Sequence, residues 1–404
     1  MDKLPKGWNE RRFGDITINF DGKRIPVNSG DRTDKQGIYP YYGASGIIDY
    51  VEDFIFDGEY LLVSEDGANL LARTYPIAFI AYGKFWVNNH AHIVQARIES
   101  TQNKFLEYFF ASFNVSEFVT GSAQPKLNQK NLNSIQIPLP PLPEQTRIVS
   151  KLDALFVRID QSIALLEENI KHTRGLMASV LEELFEKLNA ESTIYKIKDI
   201  AEIKGGKRLP KGESIQDEKT DYPYIRVTDF TDDGTIDVNS VKYMNKSVQE
   251  QIKRYIITSK DLYISIAGTI GKTGIIPKEL ENANLTENAA RLVFKPNIKI
   301  NNRFVYYFTL SDNFKDQVGL ATKTVAQPKL ALQRLAEVEL PIPSIEVQNK
   351  EVQIFNELSQ KFQEINKQQQ SKLTSLKALK SSLLDRAFKG ELTKSELPTR
   401  RDKL

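Results

Sequence analysis

The stretch AGTIGKTG (267–274) carries Gly271, Lys272 and Thr273 in the order of a nucleotide phosphate loop. The full motif places another glycine five residues before the one that precedes the lysine, so that backbone N–H groups wrap the phosphates. Here that position is Ile266, and the related segment around Gly67 reads SEDGANLL. The stretch is therefore expected to be a turn after a strand. His90 and His92 in VNNHAHIV would present two imidazoles to one face of a strand, but no third metal ligand is evident nearby in the sequence. Nor are there signatures of an adenine methyltransferase (F-x-G-x-G with (N/D)-P-P-(Y/F)), a G-x-S-x-G hydrolase, an H-E-x-x-H protease or a clustered-carboxylate nuclease. Three histidines in 404 residues leave little general-base chemistry. The chain reads as a binder without a catalytic centre of its own.

Composition is that of a globular protein, with 40% hydrophobic and 26% charged residues. The absence of cysteine excludes disulfides and thiolate metal sites and fits the cytoplasm. With no long apolar run and no leader pattern, neither a membrane span nor a signal peptide is expected. Net charge is +3, unevenly placed: residues 1–190 carry 20 basic against 24 acidic side chains, residues 191–404 carry 35 against 28. Contacts with a polyanion would have to come from local basic loops.

The elements that position such loops follow from an internal repeat. FGDITINFDGKRIP (13–26) aligns with IKDIAEIKGGKRLP (197–210), NKFLEYFFASF (103–113) with NRFVYYFTLSD (302–312), and AQPKLNQKNLNSIQIPLP (123–140) with AQPKLALQRLAEVELPIP (326–343). The shifts grow in chain order, as insertions in a duplicated unit produce. Each copy pairs β-rich runs such as EYLLVS and DLYISIAG with one buried helix, giving an α+β fold. The expected organisation is a first domain at 1–143, a helix at 144–190, a second domain at 191–345, and a helix and tail at 346–404.

The helices carry the clearest signal. Leu152, Phe156, Ile159, Ile163, Leu166, Ile170, Thr173, Met177, Val180 and Leu184 keep strict 4,3 spacing, a heptad seam with one polar member. In the second copy the expected seam is Phe355, Leu358, Phe362, Ile365, Leu376, Leu379 and Leu383, weakened at Gln369 and Lys372. Neither stripe can bury itself, so the two are expected to pair antiparallel, with about 44 helical residues spanning about 66 Å. Pro138, Pro140, Pro141 and Pro143, repeated as Pro341 and Pro343, are expected to end each domain rigidly, outside both strand ladder and helix.

A duplicated α+β domain, a proline exit and a long helix, with LPKGW (4–8), IQIPLPPLPEQTRIVSKLDALF (135–156) and LKSSLLDRAFKGEL (379–392), resembles the specificity subunit of type I restriction–modification enzymes. The resemblance covers essentially the whole chain, although the second exit reads PIPSIEVQ and the first helix ends LEELFEKL. It implies two target-recognition domains spaced by paired helices, together reading an asymmetric bipartite double-stranded DNA target. It also implies two methyltransferase subunits using S-adenosylmethionine for adenine N6 methylation, and, for cleavage, up to two ATP- and Mg-dependent restriction/translocase subunits. No cofactor and no active site are implied in this chain. The alternative is a coiled-coil scaffold whose end domains bind proteins.

For such a reader, cations on turns serve phosphates and amides or hydroxyls serve base edges. The first domain offers Lys23, Arg24, Tyr41, Tyr42, Ser45, Asn88, Asn89, His90, Ser122, Gln124 and Lys126. The second offers Lys207, Arg208, Arg226, Lys272, Thr286, Asn288, Lys323, Thr324, Gln327 and Lys329. Residues recurring in both copies (Lys23-Arg24 with Lys207-Arg208, Gln124/Lys126 with Gln327/Lys329) are expected on the backbone. Non-recurring ones such as Asn88–His90 and Arg226 are expected on bases.

Overall fold

A computed structural model describes residues 4–121, 123–319 and 330–393. It divides into two units: residues 1–167 with 371–404, and residues 168–370. The division cuts both long helices, so each unit contains a head, the start of the helix that leaves it and the end of the other helix.

In the first unit a six-stranded sheet runs in the order Thr17–Asn19, Ala91–Ala96, Phe56–Ser64, Ala78–Val87, Gln36–Gly43 and Gly46–Val51. The second unit repeats its first three strands as Ala201–Gly205, Ala289–Phe294 and Leu262–Ser265. The registers correspond: Thr17 faces Ala96 as Ala201 faces Phe294, and Leu61 faces Val94 as Leu262 faces Leu292. Beyond this frame the copies part, because the second unit adds a separate four-stranded sheet of strands two or three residues long. The AGTIGKTG segment is a turn between the strands Leu262–Ser265 and Thr273–Gly274.

One buried helix backs each frame, Asn103–Ser112 and Asn302–Leu310. It receives the long helices in the same way in each unit. Tyr108 donates its hydroxyl to Asp153, and Tyr307 donates to Asn356 at 2.8 Å. Phe388 packs on Phe105 and Phe109 with ring centroids 5.2 and 5.6 Å away; Phe185 packs on Phe304 and Phe308 at 5.5 and 5.2 Å. The end of each long helix thus docks on the head that the other helix leaves.

The long helices are Leu142–Glu191 and Ile345–Phe388. Within the first unit Asp160 meets Lys380 at 2.7 Å and Glu167 meets Lys377 at 3.5 Å, an antiparallel order. Within the second, Gln369 donates to Thr173 at 3.2 Å. Every expected seam residue of the first helix, Leu152 to Leu184, is buried or half-buried. The second helix departs from expectation. Ile365 and Leu379 are 43% and 45% exposed, and the covered stripe runs through Phe355, Phe362, Asn366, Gln369, Leu373, Leu376, Lys380, Leu383 and Ala387. That stripe keeps the 3,4 alternation only by accepting polar members, which apolar pattern-matching steps around. Such polar layers set register at a cost in stability. Asn366 Oδ1 and Gln369 Oε1 are buried without partners.

The proline segments are also corrected. Pro138 and Pro341 lie inside the ribbons that Gln136–Leu139 forms with Asn9–Arg12 and Glu339–Ile342 forms with Thr193–Lys196. A two-stranded ribbon has free edges, where the missing N–H is harmless. Pro143 sits in the first helical turn, where no intrahelical donor is needed. What fixes the exit is a glutamine. Gln145, fully buried, donates to the carbonyls of Ser100 and Pro140, each at 2.9 Å, and accepts from Thr101 Oγ1 at 2.9 Å. Gln348, likewise buried, donates to Lys299 and Pro343 carbonyls and accepts from Asn301 N at 2.9 Å. Gln145→Ala leaves these groups unpaired and should cost about 2–3 kcal/mol, read as a lower urea midpoint.

The two terminal motifs touch within the first unit. Gly390 has φ +68°, and a Cβ there would lie 2.6 Å from Pro5 and 3.5 Å from Trp8. Lys151 Nζ donates to the Leu392 carbonyl at 2.8 Å.

Candidate nucleic-acid interface

In the first unit, loops chosen from the sequence converge around Glu65. Backbone bonds tie its turn to two of them: Glu65 N donates to His90 O at 2.8 Å and Leu127 N to Glu65 O at 2.7 Å. Asn88 N reaches Tyr42 O at 3.0 Å, and Ser64 Oγ donates to Ala44 O, bringing in the loop that carries Ser45. The second unit repeats the scaffold. Ile266 N donates to Asn288 O at 2.8 Å, and Leu330 N to Ile266 O at 2.9 Å. Lys207 N donates to Leu285 O at 2.8 Å, and Thr286 N to Ile225 O at 3.0 Å.

The side chains on this common scaffold differ. Glu65 accepts from Arg24 Nη1 at 2.5 Å and pairs with Lys126 at 3.1 Å; Asp21 lies 2.6 Å from His92 Nδ1. His92, buried, places its Nε2 2.7 Å from the Leu127 carbonyl. Asp21, Glu65 and His92 bring ligand-type atoms within 4.8 Å of one another. Arg24 and Lys126 already supply the positive charge that a metal would bring, and both ring nitrogens are engaged. The cluster is an ion-pair network. At the equivalent positions the second unit has Gly205, Ile266 and Ala290 for Asp21, Glu65 and His92, and Arg208 pairs instead with Glu287 at 2.7 Å.

Burial alone would push both carboxyls up. His92 and the Ile93 amide outweigh it at Asp21, and Arg24, His92 and Lys126 outweigh it at Glu65, so both are held below the usual carboxylate range. Carboxyls depressed in the folded state stabilise it above their unfolded values of about 4, and that contribution is lost as pH falls through the lower folded values. The first unit's urea midpoint should therefore fall below about pH 4, with a shallower fall in Glu65→Gln.

Several expected contact residues are placed elsewhere by the structure. Tyr41 is fully buried, its hydroxyl accepting from Val27 N at 3.0 Å, because an aromatic on the inner face of a strand is core. Arg24 is committed to Glu65 and to the Ala91 carbonyl at 2.9 Å. Arg226 grips the buried Asp229 at 2.6 Å and the Ser240 carbonyl at 2.8 Å, a bracing role for a residue expected on a base. Asn88 and Thr286 are buried, Asn88 accepting from His90 N and Thr286 donating to Glu287. Lys272, half-buried, pairs with Asp232 at 2.6 Å. Lys23, Ser45, Asn89, His90, Gln124, Lys126, Lys207, Arg208 and Asn288 are exposed, and Tyr42 is half-buried. Ser122, Lys323, Thr324, Gln327 and Lys329 lie outside the described residues. Sequence reasoning missed the acidic partners Asp21, Glu65 and Glu287. Only Asp21 sat close enough to its arginine to be noticed.

Known proteins match this arrangement. The family model for the type I restriction modification DNA specificity domain matches twice, at residues 5–171 and 189–375. A Haemophilus influenzae chain named "Putative type I restriction enzyme specificity subunit" is 31% identical, covering 88% of this chain and 89% of that one. The type I restriction enzyme EcoBI specificity subunit of Escherichia coli is 29% identical over 76% of this chain and 71% of its own length. Among solved structures, a chain from work on complex assembly and conformational transition of the type I R-M system aligns with TM-score 0.75 at 19% identity, covering 97% of this chain and 100% of that one. The HsdS subunit from Thermoanaerobacter tengcongensis aligns with TM-score 0.51 at 19% identity, over 96% and 98%. With a duplicated frame, paired long helices and two family matches spanning most of its length, the chain belongs to the type I restriction–modification DNA specificity subunits.

Proposed function

We propose that this chain reads an asymmetric, bipartite double-stranded DNA target, one half-site per head, and holds no catalytic centre. The observation that carries the reading is one loop scaffold bearing two chemistries: Asp21, Glu65 and His92 in the first head correspond to Gly205, Ile266 and Ala290 in the second. Equal frames with unequal loops support two half-sites of different sequence. Because each long helix leaves one head and ends on the other, the paired helices set the gap between half-sites, which is counted and not read. Domain limits at 1–143, 144–190, 191–345 and 346–404 follow from that division of labour.

Two methyltransferase subunits dock on this frame, and restriction/translocase subunits join for cleavage. Exposed apolar side chains on the long helices, Val157, Leu165 and Leu176 among them, support such docking. S-adenosylmethionine belongs to the methyltransferases and ATP with Mg to the motor subunits; the target adenine is flipped into a partner's pocket. Among the described residues no helix is long and apolar enough to cross a membrane. The assembly works on DNA in the cytoplasm.

A gel shift of the chain reconstituted with its methyltransferase tests the reading. Sequence-selective retardation is expected, and none would favour a protein-binding scaffold. In the same complex Lys23→Ala, at an exposed cation, should weaken all DNA sequences alike and reduce the salt slope by about 0.9.

A further inference from the structure

Two cavities occupy equivalent places in the two units and differ in charge: among the described residues the first is lined by Arg97 and Lys104 against Glu59 and Glu99, the second by four cations against one carboxylate. The one in the second unit has a volume of about 820 Å³, and that in the first about 670 Å³. Arg291 and Lys204 line the former and lie directly opposite one another across the antiparallel strand pair. The matching positions in the first unit are Ile93 and Phe20, an apolar pair. Lys260 lines the second unit's cavity where Glu59 lines the first unit's. Two apolar residues and a carboxylate in one copy have become three cations in the other.

Arg291 is only 8% exposed. Its Nη2 donates to the Arg254 carbonyl at 3.2 Å, while its Nε is buried without a partner. Lys260 is exposed and has no ion pair among the described residues. Lys204 pairs with Glu202 at 2.7 Å, and Lys295, also on the wall, donates to the Lys198 carbonyl at 2.7 Å. Among the described residues the one carboxylate on the wall is Asp261, which accepts from Thr258 N and Oγ1 at 2.9 and 3.0 Å. Like charges set opposite each other on paired strands are unfavourable, and a buried guanidinium with an idle donor is more so. An anion in the cavity offsets the surplus of cations on its wall. The cavity falls within the size range of small-molecule sites, and Ile256, Val293 and Ile298 give it apolar wall area as well.

We propose that the second head binds a phosphate-bearing anion of up to nucleotide size in this cavity, with Arg291 and Lys260 as its principal partners and no counterpart site in the first head. Isothermal titration of the full chain with inorganic phosphate and with AMP tests this. Saturable binding in the millimolar range or tighter is expected for at least one of them, and Arg291→Ile should weaken it at least about tenfold. That variant installs the residue the first repeat carries there. Lys260→Glu, at an exposed position where folding is not at stake, should weaken it too. No saturable binding, or unchanged binding in both variants, would overturn the proposal. Competition with target DNA in the methyltransferase complex separates the two sources of phosphate. If DNA displaces the small anion the occupant is a backbone phosphate, and if the two bind independently it is a free phosphorylated molecule.

Discussion

Arg24→Ala should destabilise the first unit by about 3 kcal/mol, measured as a lower urea midpoint at neutral pH. Removing this guanidinium leaves Glu65, whose side chain is 11% exposed, with only the half-exposed Lys126 as its cation, and takes a partner from Asp21, at 8%. A buried carboxylate that loses its cation keeps its desolvation cost and forfeits the attraction that offset it. The matching change in the second unit should behave otherwise. Arg208 is 79% exposed and pairs with a partly exposed Glu287, so Arg208→Ala should cost under about 1 kcal/mol. DNA affinity should show the reverse order, since Arg208 can turn to a phosphate while Arg24 is committed. Equal stability losses at the two arginines would contradict the account of the first cluster as a buried network.

Phe185→Ala should cost about 3–5 kcal/mol. The ring is 1% exposed and sits between Phe304 and Phe308 on the buried helix of the second head. Its removal leaves a cavity where the end of the first long helix docks. Thermal unfolding followed by circular dichroism should show the second unit's transition shifted down. Val157→Ala, at a side chain 57% exposed on the same helix, should shift it little.

The frame was legible because it rests on period and repetition. Ten first-helix positions at 4,3 spacing pointed to a seam rather than to a helix packed on its own domain, and matched segments fixed the duplicated head. The second seam was legible only in part. Its middle runs through Asn366 and Gln369, and apolar spacing drew the reading to Ile365 and Leu379 on the exposed flanks. The site was legible as a set of loops but not as chemistry. DGKR and GGKR look alike, yet the partner that decides each arginine's role comes from 41 residues away in one copy and 79 in the other. Arg226 and Asp229 stood three apart in the sequence, a spacing that could have announced bracing. Tyr41 and Tyr42 alternate across a strand, and only the sheet's order tells which faces inward.

The most direct test lengthens the paired helices and reads the DNA. One heptad inserted after Ile170 and one after Gln370, at opposed places in the two helices, adds about 10 Å to the pair. The wild-type and lengthened chains are each expressed with the methyltransferase, and N6-methyladenine is mapped by single-molecule sequencing. A split motif with two unlike halves is expected in both cases, the halves unchanged and the gap longer in the variant. An uninterrupted motif, or a gap indifferent to the insertion, would contradict this expectation.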